Sequence, residues 1–255
     1  MRYSRMVAVV ALALLLVAPG VADAATLSTG RAEYRLSWNG IPAAYATVEV
    51  SHDQSAGEPV YRVETTARTS WLVDLLWRLR ARAASTFTSD QLAPLGFRYD
   101  REENSRHSVT DVAFTPSPPL ATGTYRRGGQ SKVMTIEASD LLDPITAVFH
   151  ALVQPVQLGD TLHYDVFTGE ARYLIELHIR SEEVVTVPQG TYKAWRVEPR
   201  LWRVGSGLEP RLRRATLWVS QDPTHVLLRI RSEVFIGAVN CDLLHLQAAP
   251  APPVL

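Results

Sequence analysis

The chain is 255 residues long with 26 basic and 26 acidic side chains, so it carries no formal net charge, which argues against the concentrated basic face of a nucleic-acid binder. Cys241 is the single cysteine, which excludes an internal disulfide, so a packed core has to supply the stability. Nearly all the basic side chains are arginine, Lys132 and Lys193 being the lysines, and planar guanidinium groups suit carboxylate pairs on a sheet face or an anionic ligand.

The N-terminus reads as a leader. Arg2 and Arg5 precede an unbroken apolar run, Val7 to Val17, and Pro19-Gly20 ends it. Ala22-Asp23-Ala24 then supplies the small-x-small pattern cut by a signal peptidase. The run is shorter than the ~20 residues that a stable membrane-spanning helix needs. Residues 1–24 are therefore expected to be a signal peptide cleaved after Ala24, leaving a periplasmic chain. Cys241 lies too far downstream to be a lipid-modified cysteine at the cleavage point.

Beyond Gly30 the dominant period is two. In Arg31–Trp38 the residues Ala32, Tyr34, Leu36 and Trp38 alternate with Arg31, Glu33, Arg35 and Ser37, giving one buried and one wet strand face. Asn39-Gly40 is a strong hairpin signal before the next strand, Ala43–His52. Val60–Arg68 alternates again. Ser70–Leu79 breaks the period: Leu72, Leu75, Leu76 and Leu79 stand at helical spacing behind a possible Thr69 or Ser70 cap. Pro116-Ser117-Pro118-Pro119 is read as the connection between two halves of one sheet system. Asp143-Pro144 opens a second helix, with Ile145, Val148, Phe149 and Leu152 forming its apolar stripe.

Alternation returns with Tyr173, Ile175, Leu177 and Ile179 facing away from Arg172, Glu176, His178 and Arg180, and further strands cover 193–201, 211–220 and 226–231. Cys241 falls in a last strand and reads as a buried, inert thiol. The fold class is mainly β: a large curved antiparallel sheet or open half-barrel of about a dozen strands, with two short helices packed against it. The domain is expected to run from 25 to 246, followed by a disordered Pro/Ala tail, 247–255. Both helices are expected to plug the concave side of the sheet.

Catalytic patterns are sparse. The seven histidines show neither zinc-protease spacing nor a neighbouring cysteine, and no Gly-x-Ser-x-Gly elbow or phosphate-cradling loop occurs. His163 and His178 fall on neighbouring strands with Asp160, Asp165 and Glu176 nearby, a group better read as a solvated face than as a metal site. Asp140 and Asp143 read as helix caps. Arg78-Leu79-Arg80-Ala81-Arg82 and Arg211-Leu212-Arg213-Arg214 place arginines at strand spacing, with Glu33, Glu49, Glu64 and Glu198 as expected cross-strand partners. The competing reading is an anion-receiving surface. Trp71 and Trp77 flank the first helix, which if exposed would contact a membrane or ligand. The candidate binding residues are therefore Trp71, Leu75, Trp77, Arg78, Arg80, Phe149, Arg211 and Arg213. No cofactor, metal or nucleic acid is expected.

Several of these motifs form an ordered set: Trp38-Asn39-Gly40-Ile41-Pro42, Asp74 before Arg78 and Arg80, Leu158-Gly159-Asp160, Val187 through Ala194, and Leu217-Trp218-Val219-Ser220. Together, over about residues 30–246, they resemble the exported bacterial domain of unknown function 3108 (DUF3108). The resemblance implies an exported, β-rich protein with no assigned activity, and a fold similar to the curved sheets of bacterial lipoprotein carriers. The expected role is a non-enzymatic binding or carrier-like module for an apolar or amphipathic envelope ligand. The alternatives are a scaffold of envelope assembly that docks a protein partner, or an enzyme acting on envelope lipid or glycan.

Overall fold

A computed structural model describes residues 27–55, 57–205, 215–222, 225–233 and 237–248. The expected leader with Ala24, the pair Arg211 and Arg213, and the expected tail beyond 248 lie outside the described residues. Period-two alternation carries most of the rest into strands. The first half holds β1 (Gly30–Trp38), β2 (Ile41–Ser55), β3 (Glu58–Thr69), β4 (Leu79–Thr88), β5 (Pro94–Glu103), β6 (Arg106–Pro116), β7 (Pro119–Arg127) and β8 (Gln130–Glu137). The second half holds β9 (Leu141–Leu142), β10 (Thr161–Phe167), β11 (Arg172–Val187), β12 (Gly190–Arg203), β13 (Ala215–Ser220), β14 (Leu227–Glu233) and β15 (Ala238–Ala248). Helix α1 (Trp71–Asp74) interrupts β3 and β4; α2 (Pro144–Val153) follows β9.

Among the described residues all fifteen strands belong to one sheet, in the order β8-β7-β6-β5-β4-β3-β2-β1-β15-β14-β13-β12-β11-β10-β9. The expected dozen strands are thus fifteen. Every pairing is antiparallel except β9 with β10, which is parallel. Pro116–Pro119 is the turn of the β6–β7 hairpin, because both prolines can close a hairpin without breaking the ladder inside it. The two halves instead meet at β1 and β15, where Gly30 pairs Ala248 and Trp38 pairs Val239. Gln247 and Ala248, assigned to the tail on composition, are the last rungs of that ladder. Asn39 and Gly40 close the β1–β2 hairpin with φ of 47° and 85°, the left-handed pair that a tight two-residue turn requires.

The sheet must curl. β8 and β9 are its two outer edges, yet only residues 138–140 separate them in the chain. Laid flat, fifteen strands would hold those edges roughly 67 Å apart at the ordinary strand spacing, whereas the short linker reaches about 14 Å when fully extended. The sheet is nonetheless not closed into a barrel, since no pairing joins β8 to β9 or β10. Across this seam the turn between β10 and β11 approaches the middle of β7: a Cβ built on Gly123 would lie 2.5 Å from the Cα of Gly169.

Helix α2 fills the curl. Ile145, Val148, Phe149 and Leu152 are buried, and the rings of Phe149, Phe87 and Tyr61 form a chain with centroids 5.5 and 6.0 Å apart. Asp143 caps the helix as its sequence implies, accepting hydrogen bonds from the N–H groups of Ile145 (2.9 Å) and Thr146 (3.1 Å). Its other oxygen accepts from Ser85 on β4 at 2.9 Å and from the Thr146 hydroxyl. Asp140 is exposed and, among the described residues, caps no helix; its carboxylate accepts from the hydroxyl of Ser139. Cys241 is buried in the core, and burial raises its thiol pKa, so the reactive thiolate is suppressed.

Helix α1 departs from expectation. The predicted ten-residue plug is a single turn, and it faces solvent: Trp71 is 72% exposed, Leu75 75% and Leu76 89%. Neither expected cap acts: Ser70 donates to the carbonyl of Pro42, and the Thr69 hydroxyl serves Asp74 and the amide of Leu79. β4 claims the chain from Leu79, where the ladder to Glu103 begins, leaving too few residues to propagate a helix.

The close approach at the seam gives a direct test. Gly123→Ala is expected to destabilise the protein by about 1–3 kcal/mol through overpacking. Gly96→Ala, whose Cβ would meet the Val112 carbonyl at an ordinary 3.6 Å, is expected to be neutral or to gain up to ~1 kcal/mol. Urea unfolding midpoints of the two variants measure the difference.

Candidate functional site

Two grooves are candidates for a site. The first lies on the outer face of the curled sheet, where β1–β5 present their polar side chains. Strand parity brings Arg31, Glu33, Tyr45, Thr47, Thr66, Arg68, Arg80 and Arg82 to this face around a groove of about 580 Å³. Arg31 is paired with Glu33 at 3.0 Å and with Glu49. Arg80 grips Asp74 of α1 through two hydrogen bonds, one of 3.0 Å, and Arg78 pairs with Glu102 at 3.5 Å. Ion pairing thus holds for Arg78 and Arg80 of this ladder, but their partners are Glu102 and Asp74 instead of the expected Glu33, Glu49 or Glu64. Glu198 does serve arginines, accepting from Arg180 (3.0 Å) and Arg196 (2.9 Å). Arg68 and Arg82 form no ion pair among the described residues.

The second groove is larger, about 1050 Å³, and sits at the seam. Because β9 pairs only with Asp165 and Val166, the first part of β10 is a free sheet edge, and the groove wraps around it. Leu141 and Leu142, Tyr164, Leu174 and Ile175, Trp202 and Val204 supply an apolar lining. Gln91 and Pro94 from the β4–β5 turn and His150 of α2 close the far wall. Leu174 and Val204 are each 47% exposed, so apolar surface is open to a ligand here. Burial pushes the Tyr164 hydroxyl up to about 12. Burial also lowers the His150 pKa, favouring the neutral ring, which then donates from Nε2 to the carbonyl of Leu92 at 3.0 Å.

Polar groups stand along the rim of this groove. Glu176 lies between two imidazoles, 3.0 Å from His178 Nε2 and 3.8 Å from His163 Nε2. The other His178 nitrogen meets the Thr161 hydroxyl at 3.0 Å. Asp165 is held by a bidentate contact from Arg172. The structure therefore gathers His163, His178 and Glu176 as their strands implied, and diverts Asp165 to an arginine. Among the described residues no group of three or more metal-type ligands converges.

The other predicted site residues separate. Trp71 and Leu75 stand on the exposed turn; Trp77 is half-buried and donates its indole N–H to Glu103 at 2.9 Å. Phe149, placed in a ligand-contacting lid by its sequence position, is wholly buried against Phe87 and lines neither groove. Leu174 and Trp202 escaped notice, although a signal existed: Leu174 shares the parity of the polar Arg172, Glu176 and His178, and it pairs directly with Trp202.

This architecture defines a class: a one-sheet, strongly curled β protein with an apolar groove at an incomplete seam. The chain belongs to the family described as protein of unknown function (DUF3108), whose profile matches residues 33–243. Among solved structures it is similar to a β-barrel-like protein of domain of unknown function DUF1849 from Brucella abortus, with 11% identity and a TM-score of 0.55 over 88% of this chain and 99% of that one. It is also similar to a Bacteroides fragilis protein assigned as exported, with a YmcC-like fold (10% identity, TM-score 0.36, 90% and 99% covered). A third is an assigned lipoprotein of Parabacteroides distasonis (11%, 0.35, 89% and 99%). At these identities the first likeness shows the fold alone. No curated protein matches the chain. Among the described residues no helix is long and apolar enough to cross a membrane.

The tether of α1 to the outer face is sensitive to acid. Hydrogen bonds from Arg80, then from Thr69, hold the Asp74 carboxyl down to about 2 from its ordinary 3.8. A carboxylate depressed in the folded state contributes fully above its unfolded pKa and loses that contribution as pH falls toward the folded value. Tryptophan emission from Trp71 and Trp77 is therefore expected to change between about pH 4 and pH 2, and Asp74→Asn is expected to remove that step. A titration of both proteins by fluorescence makes the comparison.

Proposed function

We propose that this protein is a non-enzymatic, carrier-like binding module of the cell envelope that holds an amphipathic ligand in its seam groove. The observation that carries this reading is the open apolar lining around the free edge of β10, where Leu174, Trp202 and Val204 sit beside Leu142. A pocket that is largely apolar with a few polar groups is the usual form of a small-molecule site. Gln91, His163, Asp165, Glu176 and Arg203 are among the polar groups at the rim, where a ligand's head would lie, with the apolar residues for its chain. The leader at residues 1–24 supports placing this activity in the periplasm. Binding is preferred to catalysis because the two rim carboxylates Glu176 and Asp165 are held in ion pairs, Glu176 with its histidines and Asp165 with Arg172.

Native mass spectrometry of the protein purified from the periplasm of a Gram-negative host tests the reading: a co-purifying apolar or amphipathic adduct is expected. In parallel, displacement of an environment-sensitive fluorescent fatty acid reports on the groove. Leu174→Asp puts a charge onto the apolar wall and is expected to weaken probe binding at least about tenfold. Probe affinity that Leu174→Asp leaves unchanged would overturn the assignment of the groove.

A further inference from the structure

The turn at α1 remains unexplained by a ligand in the seam, since neither groove takes any of Trp71, Leu72, Leu75 or Leu76. These residues stand together at one end of the sheet. The amide and hydroxyl of Ser70 bond the carbonyls of Ala43 and Pro42, which fixes the turn beside the start of β2 and the exposed Ile41. Four large apolar side chains at such exposure, on one turn, exceed the scattered surface leucines of an ordinary soluble protein.

The charges around the turn complement one kind of partner. Its single acid, Asp74, points back onto Arg80 and Thr69, so the tip carries no open negative charge. Below it, Arg68 stands in register with Arg80, and Arg82 follows two residues along β4. Arg68 and Arg82 form no ion pair among the described residues, whereas Arg106 at the same end of the sheet faces Glu103 across the β5–β6 ladder. The result is an apolar cap above a layer in which Arg68 and Arg82 add their charge to the paired Arg78 and Arg80. The cap is one turn long, and its four apolar side chains stand 49–89% exposed. A bilayer accommodates such a turn: tryptophan suits the headgroup boundary, leucines the acyl region and arginines the phosphates.

We infer that the α1 turn docks the protein on the surface of a membrane containing anionic phospholipid, with Trp71, Leu72, Leu75 and Leu76 entering the interface and Arg68 and Arg82 meeting phosphates. This surface is separate from the seam groove, and neither inference needs the other.

The test is cosedimentation of the chain from residue 25 onward with two kinds of vesicle, phosphatidylglycerol mixed with phosphatidylethanolamine, and phosphatidylcholine alone. Binding to the first and not to the second is expected. Leu75→Ser with Leu76→Ser changes two side chains that touch little of the core, so the fold is retained; vesicle affinity is expected to drop at least about tenfold. Arg68→Gln with Arg82→Gln is expected to abolish the preference for anionic lipid. Leu174→Asp is expected to bind vesicles as the unaltered chain does, which separates this inference from the groove. Protein that stays in the supernatant with anionic vesicles would overturn it, as would equal sedimentation of the Leu75/Leu76 variant; a tip that docks only on a protein gives the first of these results.

Discussion

The short linker 138–140 governs this structure. It joins the two outermost strands of a fifteen-stranded sheet, and no flat or gently twisted sheet can satisfy it. The concave face must therefore enclose a volume, and α2 with Phe149 occupies it. The glycines at 123 and 169 then matter because the opposing walls come into backbone contact there. Since β9 is only two residues long, the closure stays incomplete, and the unpaired edge of β10 becomes the place where apolar side chains meet solvent.

The two helices show how partner surface decides the fate of similar sequences. Both carry apolar residues at helical spacing, yet α2 is buried and α1 is not. Asp143 ties the start of α2 to Ser85 on β4, so one buried carboxylate links the seam segment to the opposite wall. Burial raises the pKa of this carboxyl, and the four hydrogen bonds it accepts oppose that rise. A cap of this kind contributes about 1 kcal/mol to helix stability, in a place where an unpaired carboxyl would be costly. Asp74 has the opposite setting: it lies near the surface, reaches back to a strand arginine, and ends its helix after one turn.

Much of the architecture was legible in the sequence, because strand faces are written in period two. Arg31–Trp38, the Asn39-Gly40 turn and the Asp143-Pro144 helix start all follow from adjacent residues whose preferences agree with the final fold. Several features were not local. Leucines at 72, 75 and 76 have the spacing of a buried helix whether or not anything packs on them. Carboxylate partners for Arg78 and Arg80 depend on strand register, which placed Glu102 nearby and left Glu64 aside. The seam groove is assembled from a turn near 91, β9, α2 and β10 through β12, segments too distant in the chain for any motif to span. Leu174 was the exception, an apolar residue on a polar strand face.

The ladder between β1 and β15 carries a topological consequence. Gly30 and Ala248 are paired neighbours, so the described chain could be spliced there by a short bridge. Opened instead at 138–140, it would run from β9 through β15 and on from β1 to β8, and the spatial order of strands would equal their order along the chain. Apart from the parallel β9–β10 pair, the fold is thus a circular rearrangement of a simple meander. Its one distant pairing, spanning some two hundred residues between Trp38 and Val239, is the step with the largest loop-closure entropy. Each hairpin can form as soon as its own strands exist, while the join between the halves must wait for the last strand.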